Sequence, residues 1–154
     1  MIGVKSDTAD RELIFSRTID APVQLVWEIW TKPEHIKNWW GPDGYSNTIF
    51  KMEVRPGGEW DLIMHSPDGI HYKHKCIFRE VIENKLILYE QLTDPKYLAT
   101  VRFESREDTT FLYWQLLFES REYLLEVVKT FKVDPGLRET AERMIHYLSA
   151  SGLR

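Results

Sequence analysis

Residues 20–42 read DAPVQLVWEIWTKPEHIKNWWGP, and their meaning depends on where the period changes. Before them, Glu12 to Ile19 carries Leu13, Ile14, Phe15 and Ile19 with Ser16 and Thr18 between, which suits a strand. Asp20 followed by Ala21-Pro22 predicts an N-cap with proline in the first helical turn, where its missing N–H costs nothing. Val23, Val26, Trp27 and Trp30 then recur at three and four residues and form one apolar stripe. Thr31 and Glu34 have capping-box spacing, with Pro33 between them. They predict a second short helix carrying Ile36 and Trp39 and ending at Gly41-Pro42.

Beyond this pair the signals are strands separated by turn chemistry. Pro56-Gly57-Gly58 and Pro67-Asp68-Gly69 predict two hairpins. Trp60, Leu62 and Met64 alternate with Asp61, Ile63 and His65, the period-2 pattern of a strand with one better-buried face. Further runs at 71–82, 85–92, 98–105 and 109–118 are divided by Glu83-Asn84 and Arg106-Glu107-Asp108, making an antiparallel meander of about six strands. Helical spacing returns at Tyr123, Leu124, Val127, Val128 and Phe131, capped by Ser120. After a break at Asp134-Pro135-Gly136, a last helix presents Leu137, Ala141, Met144, Ile145 and Leu148. Residues 1–10 are polar and aperiodic and predict a frayed start.

Composition narrows the class. Hydrophobic residues at 43% and charged ones at 29% are ordinary for a globular domain and argue against a disordered or membrane-inserted chain. A chain of 154 residues buries about 70% of its surface and needs no staple, so one domain over 1–154 is expected. Six Trp imply a thick aromatic core or a cavity with aromatic walls. The net charge of −4, with Lys and Arg scattered, offers no general attraction to phosphate backbones, so nucleic acid is not an expected partner. The single Cys76 cannot form an internal disulfide, and the amino terminus lacks a signal-peptide pattern; a reducing, cytoplasmic setting follows as the expectation.

The order strand, two short helices, meander, terminal helix resembles the helix-grip architecture of the START and birch-pollen-allergen (SRPBCC) superfamily. That is an α+β fold in which a curved antiparallel sheet wraps a long carboxy-terminal helix. Asp20-Ala21-Pro22 with Val26-Trp27, Trp30-Thr31, Pro33-Glu34, Trp39-Trp40-Gly41-Pro42, Arg55-Pro56-Gly57-Gly58 and Pro67-Asp68-Gly69 are together similar to the family of activator of heat-shock protein 90 ATPase homologues. The likeness spans roughly residues 12–150. Two departures stand out: Glu53 where family members often carry aspartate, and the interruption at Asp134-Pro135-Gly136 where they usually continue one helix.

Candidate chemistry is sparse. No Gly-x-Ser-x-Gly occurs, and His74 and Cys76, two apart on one strand face, are a dyad only if a third group orients them. His71 and His74 point to opposite faces, and His35, His65 and His146 are isolated, so no metal and no cofactor is expected. Glu90 shares a face with Leu86, Leu88 and Leu92 and is either buried beneath a cavity or on a face turned the other way. The alternate face, Ile87 with Tyr89 and Gln91, is also partly apolar. By alternation the wall of the cavity implied by the resemblance includes Phe50, Met52, Trp60, Leu62, Met64, His74, Cys76 and Phe78 on strands. Trp114 comes from the last strand, Met144 or Leu148 from the helix, and Trp40 from the turn after the helix pair. Tyr72, His74 and Glu90 are its polar candidates.

The reading put first is a binding module for a small apolar or aromatic molecule. A cyclase- or hydrolase-like enzyme using the same cavity, similar in fold to polyketide cyclases, comes second. A co-chaperone with a chaperone partner comes third, on the family's name alone. A monomer and a homodimer are equally compatible with the sequence.

Overall fold

The structure, a computed structural model, describes residues 8–152. Most of the expected frayed segment, residues 1–7, lies outside the described residues. Thr8–Asp10 form a turn, closed by the Arg11 N–H on the Thr8 carbonyl at 3.0 Å.

Among the described residues seven strands form one antiparallel sheet: β1 (Glu12–Ile19), β2 (Ser46–Met52), β3 (Glu59–His65), β4 (His71–Ile82), β5 (Leu86–Gln91), β6 (Tyr97–Arg106) and β7 (Thr109–Leu117). Their spatial order is β1-β7-β6-β5-β4-β3-β2, so the first two strands in the chain occupy opposite edges. Between them run α1 (Val23–Thr31) and α2 (Pro33–Ile36), which carry the chain from one edge to the other. Helices α3 (Arg121–Phe131) and α4 (Val133–Ala150) close the molecule, with Leu137, Ala141, Met144 and Leu148 of α4 in the core. This is the α+β helix-grip architecture expected from the sequence.

The helix starts follow different chemistry from that expected. Helix α1 begins at Val23 behind an extended Pro22 and has no side-chain cap. The Pro22 carbonyl accepts the N–H groups of Leu25 and Val26. Thr31 does not cap α2 either, because its hydroxyl turns back to the Trp27 carbonyl at 2.8 Å, the i−4 bond that competes with capping. Ser120 does cap α3, its Oγ accepting the Tyr123 N–H at 3.0 Å.

The final break also moves. Asp134-Pro135-Gly136 lies inside the first turn of α4, where proline is tolerated, and the chain turns instead at Lys132, in left-handed backbone (φ 52°). Gly136 lies on α4 beside the turn after α2, where a Cβ would meet Pro42 Cγ at an ordinary contact distance of 3.4 Å.

Two register shifts decide which side chains face inward. One lies in β2 between Ile49 and Lys51, the other in β4 between Phe78 and Glu80. Each adds a residue to one strand and reverses the alternation beyond it. The Arg55-Pro56-Gly57-Gly58 turn is tight as well: a Cβ on Gly58 would fall 1.9 Å from the Glu53 carbonyl oxygen, so only glycine fits.

The core is aromatic at one end. Trp30 meets Trp39, Trp40 and Trp114 edge-on at ring-centroid distances of 5.0, 5.8 and 4.8 Å. Its indole N–H reaches Met144 Sδ at 3.1 Å, and that of Trp39 donates to the Ile29 carbonyl. Indoles in this arrangement place positive ring edges on negative faces, adding to their area burial.

Candidate functional site

A cavity of about 340 Å³ lies between the concave face of the sheet and the junction of α3 with α4. One wall is the turn after α2, with Trp40, Gly41, Pro42 and Tyr45. The floor is Met64, Tyr72 and His74 from β3 and β4, Gln91 and Tyr97 from β5 and β6, and Trp114 and Leu116 from β7. The roof is the helix junction, residues 130–133, with Gly136, Leu137 and Thr140.

The turn that forms the first wall is held by one arginine. Arg143 on α4 donates through Nη1 to the carbonyls of Trp40, Gly41 and Pro42 at 3.1, 2.8 and 2.9 Å, and through Nη2 to those of Asn38 and Tyr45. Several carbonyls converge on one planar fork of donors, a geometry that a lysine's single ammonium cannot match. Gly41 is favoured by its backbone, and its missing Cβ leaves room for the end of the Met64 side chain. Its backbone is left-handed (φ 95°), and a Cβ there would stand 2.9 Å from Met64 Cε.

The polar groups of the floor are mostly engaged. Gln91 donates to the Pro95 carbonyl at 2.7 Å and accepts from the Tyr97 hydroxyl at 3.2 Å and the Cys76 thiol at 3.9 Å. His74 Nδ1 lies 3.0 Å from Thr93 Oγ1. Burial holds the His74 ring neutral, its pKa lowered from 6.5 to about 4. Burial likewise pushes the Tyr97 hydroxyl and the Cys76 thiol up. The Tyr89 hydroxyl is close enough to Tyr97 and Trp114 to be perturbed by both, yet neither approach has hydrogen-bond geometry. Among the described residues no carboxylate lines the cavity, and Lys132 is the one formally charged lining residue.

Of the residues expected on the wall, Trp40, Met64, Tyr72, His74 and Trp114 line the cavity. Trp60, Leu62, Cys76 and Phe78 are buried on the inward side of β3 and β4 but are covered by their neighbours, Phe78 stacking on Trp60 at 5.9 Å. Met144 and Leu148 are buried core of α4, and Met52 is packed at the edge of that core.

Two expectations are overturned. Phe50 is 64% exposed, because the shift in β2 turns Ile49 and Met52 inward and Phe50 outward. Glu90 lies on the convex face, its carboxylate held by Arg79 Nε and Nη2 at 3.0 and 2.7 Å. The inward face of β5 is Ile87, Tyr89 and Gln91, the alternative left open above.

The histidines differ from expectation too. His65 is not isolated: it faces His71 across β3 and β4, with the two Nδ1 atoms 2.7 Å apart, while its Nε2 meets Thr48 Oγ1. His35 Nδ1 meets the Tyr147 hydroxyl at 2.7 Å. Among the described residues no group of three or more His, Cys, Asp or Glu side chains could hold a metal ion. His74 and Cys76 form no dyad, since each is bonded to a different partner.

Sequence reasoning missed Tyr45, Gln91, Tyr97, Leu116 and the α3–α4 junction. Gln91 pairs with Cys76 across β4 and β5, and cross-strand partners share a face; that register, had it been known, would have found it.

The comparisons agree with this architecture. A protein of Arthrobacter aurescens solved by NMR is 25% identical, with a TM-score of 0.84 over 96% of this chain and 91% of its own. A crystal structure of a Nitrosomonas europaea protein is 21% identical, with a TM-score of 0.82 over 95% and 99%. An AHSA1-like protein of Aeromonas hydrophila is 18% identical, with a TM-score of 0.73 over 92% and 96%. No protein of curated function matches the chain. Residues 20–148 match the family described as Activator of Hsp90 ATPase homolog 1-like protein, and that span includes both the helix pair and the cavity walls. The chain belongs to this family.

Proposed function

We propose that the chain binds a small apolar or aromatic molecule in the cavity beneath the α3–α4 junction and holds it without transforming it. The observation that carries this reading is the character of the walls. Two indoles, Trp40 and Trp114, face a space of about 340 Å³ bounded also by Met64, Leu116 and Leu137, with the polar groups of His74, Gln91 and the tyrosines set among them. Small-molecule sites have this composition, mainly apolar with a few placed polar groups.

Two further observations favour holding over chemistry. The Cys76 thiol is buried and its ionisation is suppressed, and the neighbouring His74 is engaged with Thr93, so this pair supplies no activated nucleophile.

The test is to fill the space. Met64 borders the turn at Gly41, and Met64→Trp places an indole where the ligand would lie. Equilibrium dialysis against fluorene should show saturable uptake by the wild type and at least tenfold weaker uptake by Met64→Trp, with cooperative unfolding retained. Val133→Trp, at the roof, gives a second variant should the first fail to fold. Equal uptake by wild type and folded variants would remove the cavity as the site.

A further inference from the structure

We propose that His74 is the polar anchor of the cavity and selects its ligand, donating Nε2–H to a neutral carbonyl-type oxygen on an otherwise apolar molecule. This deepens the binding reading above and rests on it.

The argument begins at Thr93. Its Oγ1 accepts the backbone N–H of Lys75 at 3.3 Å and lies 3.0 Å from His74 Nδ1. A threonine hydroxyl has one proton to give. The hydroxyl oxygen also has two lone pairs, so it can meet Nδ1 as donor or acceptor; since the Lys75 N–H can only donate, Nδ1 is the one of these two partners able to take its proton, and the anchor is the tautomer in which it does. A neutral imidazole that accepts at one nitrogen carries its proton on the other. His74 is neutral over the ordinary pH range because burial resists its charging. In that tautomer the ring proton sits on Nε2.

Nε2 has no partner among the described residues, and it is not among the polar atoms sealed away from accessible space. Since His74 lines the cavity, this N–H is a donor held ready at the cavity floor. Two of the neighbouring floor groups are engaged with one another. Gln91 is bonded through both its amide nitrogen and its oxygen, and the Tyr97 hydroxyl is spent on that oxygen.

The ligand's chemistry follows by complement. A donor with no protein acceptor calls for an acceptor on the ligand, since an unmet buried donor costs free energy. A ligand amine or ammonium would oppose donor to donor, and among the described residues no carboxylate lines the cavity to receive it. A carboxylate buried at His74 would need a cation beside it, whereas the ring resists protonation and Lys132 belongs to the roof, not to this floor. A ketone, quinone, ester or lactone oxygen meets the donor at no charge cost.

The experiment uses a matched pair of rigid probes, 9-fluorenone and fluorene, which differ by a carbonyl in place of a methylene. Dissociation constants of both are measured for the wild type, His74→Leu and His74→Gln, each checked by thermal unfolding. A neutral hydrogen bond is worth about a five- to tenfold factor in binding. The preference for fluorenone over fluorene should fall by about that factor in His74→Leu and be kept in His74→Gln, whose amide retains a donor. The long-range 1H–15N spectrum of the unliganded wild type at neutral pH should show His74 protonated at Nε2. An Nδ1–H tautomer overturns the anchor whatever binds. The same probe preference in wild type and His74→Leu overturns it too, while leaving the cavity reading intact. Uptake of neither probe by the wild type overturns the cavity reading itself, and the anchor with it.

Discussion

The concave face of one sheet is covered in two different ways. Beneath α1 and the later turns of α4 it is solid: Trp30, Trp39, Phe103, Leu112 and Met144 are at most 4% exposed and interlock edge to face. Beneath the α3–α4 junction the same face is hollow. The difference lies in the helix stripe and not in the sheet. Along α4 the inward positions run Val133, Gly136 with Leu137, Thr140, Met144 and Leu148. Met144 and Leu148 fill their end, whereas Gly136 and Thr140 are too small to reach the floor that Tyr72, His74 and Tyr97 provide. A single amphipathic helix can thus build a core with one half and a binding space with the other.

The largest effect that would sharpen this contrast is at the filled end. Trp30→Ala removes the indole at the centre of four ring contacts and should destabilise the protein by about 3–5 kcal/mol in chemical denaturation, the range for a truncated core aromatic. A loss below about 1 kcal/mol would mean that this end is not the rigid half.

The hollow end should respond to pH. His74 titrates at about 4 in the folded protein against 6.5 in an unfolded chain. Between those values the unfolded chain binds a proton that the folded protein does not, so stability is full above about pH 6.5 and falls as pH drops toward 4. The shift corresponds to roughly 3 kcal/mol. Denaturant melts of wild type and His74→Leu across this range should diverge at low pH, the variant lacking this part of the slope. Parallel pH profiles would place the imidazole in water.

The smallest change concerns Gly136. Its backbone is helical, and an added Cβ would meet Pro42 at ordinary contact distance, so Gly136→Ala should stabilise α4 by about 0.5–1 kcal/mol while trimming the cavity. Destabilisation would show that the contact with the Gly41-Pro42 turn has no room to give.

The solid half was the more legible in sequence. Trp30, Trp39 and Trp114 fall on stripes whose period is visible without any partner, and the hairpin turns at 56–58 and 67–69 set the meander. The hollow half was legible only in part. Met64, Tyr72 and His74 follow from alternation and Trp40 from the turn after the helix pair, but Phe50 was misplaced and the face of Glu90 left open, because alternation cannot see a register shift. The shift in β2 reverses Phe50, and the inward phase of β5 is set by its pairing to β4 through Cys76 and Gln91. The roof at 130–133 was hidden for another reason. Proline at 135 looks like a helix break in sequence, yet as a first-turn residue of α4 it lets the chain turn three residues earlier, at Lys132. Arg143 gave no local signal at all, since its five carbonyl partners lie about a hundred residues away in sequence.

The measurement that tests the contrast most directly is a 1H–15N and 1H–13C shift map of the protein titrated with fluorenone. Saturable shifts should appear at Trp40, Tyr72, His74, Tyr97 and Leu137, with Trp39, Leu112 and Leu148 undisturbed. No saturable shifts at the cavity residues, or shifts confined to exposed Phe50 and Leu125, would contradict a ligand site beneath the α3–α4 junction.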